Sequence, residues 1–135
     1  DVNMSLEKFS DEISKLSKDL GFTYYCFCHL KAPEHGAPHE RGGKVLSHQF
    51  TGSRAMMRSC YYMWGIERNK DPDKPEKERN TSTIVLLEDR KYGRSGYFRV
   101  YYDPNTGDYS EPPEGFLESD VENLVDFHGS PVTDF

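Results

Sequence analysis

The sequence lacks the long apolar runs of a membrane protein. It contains no stretch of about 18 consecutive apolar residues and no charged-then-apolar leader. Cysteine is scarce as well, with three residues, an odd number, all placed in apolar stretches. That usage is typical of reduced thiols inside a core and not of a disulfide framework. We therefore expect a cytoplasmic protein that neither spans a membrane nor is secreted.

Two features of nucleotide-binding proteins are also missing. The sequence has no Gly-x-x-x-x-Gly-Lys-Ser/Thr phosphate-binding loop. We also identify no apolar strand that ends in an Asp able to hold the magnesium ion of a bound nucleotide. The chain alone is therefore not expected to hydrolyse a nucleotide. Zinc is not expected either, because Cys26 and Cys28 have no second close pair of ligands at the spacing of structural zinc sites.

The acidic residues are concentrated at one end of the chain. The net charge is -6, and residues 111–135 contain seven acidic residues but no Lys or Arg. Subtracting those seven from the 23 acidic residues leaves 16 against 17 basic residues, or +1, for residues 1–110. We predict a folded core over 1–110 and a disordered acidic tail over 111–135. A near-neutral core with clustered Arg and Lys can still bind phosphates locally.

Hydrophobic periodicity predicts an α/β fold. Apolar residues spaced by three and four indicate an amphipathic helix over 5–20, with Ser5 as its N-cap and Gly21 as its end. Residues 22–28 are β-formers without alternation, which predicts a strand buried on both faces. Residues 31–49 are predicted to form a loop at the ligand-binding edge of the sheet, followed by a short helix over 52–59. The remaining strands are predicted over 60–66, 83–87 and 97–102, with a solvated loop over 71–79. A turn over 103–107 precedes a last short strand.

Three cationic residues follow predicted strands: His29, Arg68 and Arg90. A single His or Arg at the end of a strand more often has a structural role than a phosphate-binding one. An Arg in such a position usually pairs with a neighbouring acid such as Glu67 or Asp89. If the three strands shared one edge, however, the three side chains would converge on a phosphate, which Arg binds through charge-assisted paired hydrogen bonds. The pattern therefore favours a phosphate-binding edge.

Several motifs occur in a characteristic order between His29 and Tyr109. They are Cys28-His29-Leu30-Lys31-x-Pro, a later His39-Glu40, Gly52-Ser53, Glu67-Arg68-Asn69, Arg90-x-x-Gly93-x-x-Gly96, and Tyr102 followed by Thr106-Gly107. In order and spacing they resemble the hexameric replicative helicases of the helicase-primase type found in short-tailed phages, related to the mitochondrial Twinkle helicase and more distantly to the DnaB class. One residue is missing between Gly96 and Tyr102 relative to that family.

The resemblance implies the C-terminal half of a RecA-like motor domain, with the phosphate-binding loop upstream of Asp1. In such a 5′-to-3′ DNA helicase, His29 would read the γ-phosphate of ATP or dTTP bound with Mg²⁺. Arg90 would be the arginine finger that reaches the neighbouring subunit's nucleotide, and Arg68 would be a second interfacial arginine. Tyr102 would lie against the nucleotide base.

The resemblance also implies partners. The loop over 31–44 would grip single-stranded DNA in the central channel of a hexamer, and the end of the acidic tail would dock on the replicative polymerase of a phage-infected bacterium. His35 and Ala37 stand where the family usually carries lysines, so Arg54 and Arg58 are expected to add DNA contacts. The candidate nucleic-acid-binding residues are Lys31, His35, His39, Lys44, Arg54 and Arg58.

Two other functions fit the same residues. Nine Tyr and one Trp would allow a stand-alone module to stack on single-stranded nucleic acid without catalysis. Alternatively, the acidic tail alone would be the functional part of an interaction protein. For the helicase fragment, one face of the sheet should be bare, and we predict self-association or a rearranged packing.

Overall fold

The computed structural model describes residues 1–52 and 54–112. Helix α1 spans Val2–Leu20 and begins before the predicted residue 5, because the side chain of Asp1 accepts a hydrogen bond from the backbone N–H of Asn3 (3.1 Å). The helix ends as predicted at Gly21, whose left-handed conformation (φ 70°) lets its N–H bond the carbonyl of Ser17 (2.9 Å). The predicted amphipathic helix is therefore confirmed, with an earlier start.

A second short helix packs against α1. Helix α2 spans Arg54–Ser59, within the predicted range of 52–59. The hydroxyl of Ser10 on α1 is almost fully buried and lies 3.0 Å from the hydroxyl of Ser59 on α2. Small side chains at this point let the two helices approach closely. Several apolar side chains of α1 remain exposed, namely Val2, Met4, Phe9, Leu16 and Leu20.

The predicted buried strand over 22–28 is wrong. These residues form no strand, and the side chains of Tyr25 and Phe27 are 82% and 93% exposed. A strand buried on both faces needs paired neighbours and covering layers, and within residues 1–52 and 54–112 this segment has neither. Cys26 and Cys28 are exposed for the same reason, which corrects their expected place in a core.

The rest of the described chain forms one antiparallel sheet. Strand β1 spans Tyr62–Arg68, β2 spans Thr81–Asp89, β3 spans Gly96–Tyr102 and β4 spans Tyr109–Ser110, and they lie side by side in that order. The other predicted strands are confirmed with shifted bounds. The charged connection between β1 and β2, predicted as a loop over 71–79, contains the short helix α3 (Glu76–Arg79). The sheet with its helices is compatible with a fragment of an α/β fold.

Only one face of this sheet is covered by the described chain. On the covered face, Val45 (2% exposed) packs on Gly65 of β1. On the opposite face Trp64 and Phe98 meet edge to face, with ring centroids 6.2 Å apart, and both are about half exposed, as is Ile66. The bare face expected of a sheet without its neighbouring layer is therefore present. None of the described helices is long and apolar enough to cross a membrane.

Candidate functional site

The antiparallel pairing of β1 and β2 separates two of the predicted phosphate-binding residues. Arg68 is paired with Ser82 at the start of β2, whereas Arg90 follows Asp89, which is paired with Tyr62 at the start of β1. Seven residues of strand at about 3.4 Å each place the two arginines about 24 Å apart. The prediction that they share one sheet edge is wrong, because it assumed parallel strands.

Arg90 begins a tightly built turn between β2 and β3. The buried carboxylate of Asp89 accepts hydrogen bonds from the backbone N–H groups of Lys91 (3.1 Å) and Tyr92 (2.9 Å). The N–H of Gly93 bonds the Asp89 carbonyl (2.8 Å), with Gly93 at φ 65°. Asp89 does end an apolar strand, contrary to our interpretation of the sequence, but its carboxylate binds backbone amides and fixes the shape of the turn.

The side chain of Arg90 connects this turn to α2. Its Nη2 donates a 2.6 Å hydrogen bond to the carbonyl of Met57, near the C-terminal end of the helix. The half-buried Cys60 lies in the same region. Burial raises the pKa of the Cys60 thiol, while the positive charge of Arg90 acts in the opposite direction.

Arg90, Lys91 and Arg94 belong to this turn, and α2, to which Arg90 is bonded through the Met57 carbonyl, carries Arg54 and Arg58. We call these five cations the basic cluster. Lys91 and Arg94 both lie over the ring of the exposed Tyr92, at 5.1 and 4.7 Å from its centroid. The ion pairs found between described residues involve Lys8, Lys44 and Lys74, and none involves the basic cluster. The cations of the cluster thus form no ion pair with an acid of the described ranges.

The opposite end of the sheet holds Arg68 and Tyr102. Arg68 donates from Nε to the carbonyl of Arg79 (2.7 Å) and from Nη2 to the side-chain oxygen of Asn80 (3.2 Å). The backbone N–H of Tyr102 bonds the carbonyl of the same Asn80 (2.9 Å). The ring of Tyr102 packs against Tyr109, with centroids 5.2 Å apart. Tyr102 ends β3 and Arg90 follows the end of β2. Because these two strands are antiparallel, the two residues lie at opposite ends of the sheet.

The loop over 31–49 is held at its base by backbone pairing. Leu30 and Phe50 form an isolated antiparallel bridge, and the carbonyl of His29 accepts from both the N–H (2.8 Å) and the hydroxyl (2.7 Å) of Thr51. The N–H of Lys31 bonds the Gln49 carbonyl (2.7 Å). The side chains of His29, Lys31 and His35 are exposed. The loop is therefore a folded element that starts and ends beside His29.

Two internal contacts give predicted DNA-binding residues a structural role. His39 is half-buried, donates from Nε2 to the Lys31 carbonyl (3.1 Å), and has a buried Nδ1 without a partner among the described residues. Glu67 accepts from Lys44 Nζ (3.2 Å) and from the N–H of Val45 (2.9 Å). The loop is thus fastened to β1 through Glu67, a role that the sequence did not predict.

No family model matches the chain, and comparison with known proteins finds a distant similarity to a phage protein. The chain is 28% identical over 133 residues to the DNA helicase/primase of Enterobacteria phage T3, an alignment that covers 91% of this chain and 23% of that protein. The chain thus spans about a quarter of that relative's length. The similarity supports a helicase-primase-like relationship.

Sequence reasoning missed three members of the cationic turn. Lys91, Tyr92 and Arg94 fill the intervals of the Arg90-x-x-Gly93-x-x-Gly96 motif, which we considered only for its arginine and its glycines. A basic run interrupted by one aromatic residue was the available signal. No three His, Cys, Asp or Glu side chains of the described ranges come together as a metal site.

Proposed function

We propose that this chain is the distal part of the motor of an ATP-dependent replicative DNA helicase that works as a hexamer. The observation that carries the proposal is the separation of Arg90 from Tyr102. In a ring, one end of the sheet would lie beside the subunit's own nucleotide and the other beside the neighbour's nucleotide. Arg90 would then act in trans on a γ-phosphate, where an arginine stabilises the charge of the transition state.

The basic cluster suits the phosphates of ATP or dTTP, because its cations have no acidic partner in the described chain. Arg90 would have to release the Met57 carbonyl to reach a nucleotide. Tyr102 would contact the base, and Arg68 would brace that end through Asn80. His29, exposed at the base of the loop, would sense the phosphate state.

Magnesium fits the described residues less well. The carboxylate of Asp89 is buried and already accepts two backbone N–H groups, so it is poorly placed to hold a hydrated cation. In this proposal the ligands of the Mg²⁺ that accompanies the nucleotide come from an upstream segment, together with the phosphate-binding loop. The described residues then contribute positive charge and no metal ligand.

Single-stranded DNA is the proposed track of the motor. Lys31 and His35 on the loop, and Arg54 and Arg58 on α2, are exposed and able to contact its phosphates. Lys44 and His39 would act indirectly by holding the loop in shape, because both have partners inside it or on β1. The replicative polymerase is the proposed partner of the acidic tail, of which residues 113–135 lie outside the described residues.

The trans role of Arg90 is tested with rings that contain two different variants. The rings are assembled from a polypeptide that joins this chain to its nucleotide-binding segment. Arg90→Gln subunits and Tyr102→Ala subunits should each form rings with weak hydrolysis. Mixing them should restore hydrolysis above the average of the two, since some interfaces then combine an intact Tyr102 with an intact Arg90. Arg94→Gln serves as the charge-matched control. No gain on mixing would show that both residues act on the nucleotide of their own subunit and would refute the proposal.

The alternative function is a stand-alone module that binds single-stranded nucleic acid, and the exposed Tyr92 with its flanking cations favours it. The isolated chain would then bind oligothymidine tightly as a monomer. Charge reversal at Arg54 and Arg58 distinguishes the two functions. It should lower the salt dependence of binding in the assembled ring if the helicase proposal holds, and in the isolated chain if the module proposal holds.

A further inference from the structure

The side chain of Arg90 caps the C-terminal end of α2. A helix leaves its last four backbone carbonyls without partners inside the helix, and Met57 carries one of these four carbonyls in α2. Its oxygen accepts the 2.6 Å hydrogen bond from Nη2 of Arg90. The positive charge of a guanidinium also balances the partial negative charge at this end of a helix. Arg90 is therefore placed to stabilise α2 as well as to act on a phosphate.

Helix α2 depends on contacts of this kind for its stability. It has six residues, none of which is buried, and an isolated helix of that length is unstable in water. A contact with α1 joins the hydroxyls of Ser10 and Ser59 (3.0 Å). The N–H of Cys60 continues the helical pattern by bonding the Met56 carbonyl (3.1 Å). Loss of the bond from Arg90 is therefore expected to loosen the last turn of α2.

The guanidinium of Arg90 can leave α2 without any change in the sheet. The backbone N–H of Arg90 bonds the carbonyl of Tyr61 (2.9 Å), and the preceding Asp89 fixes the turn that follows. Because Arg90 is exposed, its side chain can rotate into solvent while its backbone stays in place. The Met57 carbonyl then keeps one partner, since Sγ of Cys60 also donates to it (3.1 Å), although a thiol is a weak donor.

We propose that Arg90 is a positioning residue for α2, which it caps at Met57 and uncaps when its guanidinium moves to the phosphate of a nucleotide. The nucleotide state thereby reaches the helix that carries Arg54 and Arg58, two of the proposed DNA contacts. One guanidinium cannot occupy both places, so whatever stabilises the last turn of α2 also holds Arg90 away from the phosphate. The switch rests on the proposed function, whereas the capping contact does not.

Amide hydrogen exchange on this chain tests the cap. The N–H of Cys60 reports the last turn of α2 and should exchange about twofold to fivefold faster in Arg90→Gln than in the wild type, from the effect of one charge at a helix end. Arg94→Gln is the matched control, because it removes a cation of the same turn that lies over the ring of Tyr92. The N–H of Gly21, at the end of α1, should exchange equally in all three proteins. Unchanged exchange at Cys60, or equal acceleration at Cys60 and Gly21, would overturn the proposal.

The switch is tested in rings assembled from the polypeptide that joins this chain to its nucleotide-binding segment. A non-hydrolysable ATP analogue should speed exchange of the Cys60 N–H about twofold to fivefold in wild-type rings. It should have no effect in Arg90→Gln rings, where α2 is already uncapped. If wild-type exchange ignores the analogue although mixed rings regain hydrolysis, the switch is refuted and the proposed function stands. If mixing gives no gain although Arg90→Gln loosens α2, the proposed function fails and the cap stands.

Discussion

Replacing Gly65 should destabilise the protein although glycine is usually a poor strand residue. A Cβ at position 65 would lie 2.9 Å from Cγ1 and 3.0 Å from Cβ of Val45, and 3.3 Å from Cδ1 of Leu87. The leucine methyl can move away, but Val45 is held because its N–H bonds Glu67 (2.9 Å) and its side chain is almost fully buried. Overpacking of this kind costs about 1–3 kcal/mol.

Ala has a compensating advantage over Gly in the unfolded state, worth about 0.5–1 kcal/mol. The net expectation for Gly65→Ala is a loss of about 1–2 kcal/mol in the free energy of unfolding, or about 5 °C in Tm for a chain of this size. Val45→Ala alone should cost about 2 kcal/mol through lost burial and a residual cavity. The double variant should be about 1 kcal/mol more stable than the sum of the two losses, because the added methyl fills part of the space left by Val45.

Urea denaturation measures these differences, with the fluorescence of Trp64, the single tryptophan, and far-ultraviolet circular dichroism as two probes. Trp64 neighbours Gly65 on β1 but points to the bare face, so it reports unfolding of the strand without touching Val45. A Gly65→Ala variant as stable as the wild type, or losses that simply add in the double variant, would refute the packing of the loop on β1.

Three further predictions concern the loop, the thiol and the bare face. Glu67→Gln should lower the free energy of unfolding by about 1 kcal/mol in thermal melts, since it removes the charge that pairs with Lys44 and weakens the bond to the Val45 amide. Arg90→Gln should raise the pKa of Cys60 further, because the cation that opposes the effect of burial is lost; alkylation of Cys60 should then be slower at a given pH. Ile66→Thr should reduce concentration-dependent association in light scattering, because it makes the bare face more polar.

Each of these predictions has a control within the chain. Glu78→Gln removes a local pair with Lys74 and should change stability less than Glu67→Gln. Arg94→Gln removes a cation of the same cluster that does not figure in the pKa of Cys60, so alkylation should be nearly unchanged. Phe27→Ser removes an exposed aromatic side chain outside the sheet. If it reduced association as strongly as Ile66→Thr, the bare face would not be the surface responsible.

Local structure could be predicted from the sequence where local chemistry decides it. The periodic apolar residues of α1 and the glycine at its end fixed the helix, and the β-rich segments around Ile66, Val85 and Val100 became strands. The segment over 22–28 has the same composition as those strands and is not one. Strand formation there depends on neighbours that the sequence pattern cannot supply, because β-propensity measures fit to a surrounding sheet.

The residue types of the candidate site were apparent from the sequence, but their grouping was not. Arg68 and Arg90 each follow an apolar segment, yet the antiparallel order of β1 and β2 places them at opposite ends of the sheet. The same order brings Arg90 to the Met57 carbonyl and turns Glu67 toward the loop. The sequence by itself determined the helix, the strands, the candidate cations and the acidic segment, all set by properties of neighbouring residues. Only the tertiary structure decided which cations share an end of the sheet, because strand direction and register join residues that are distant along the chain.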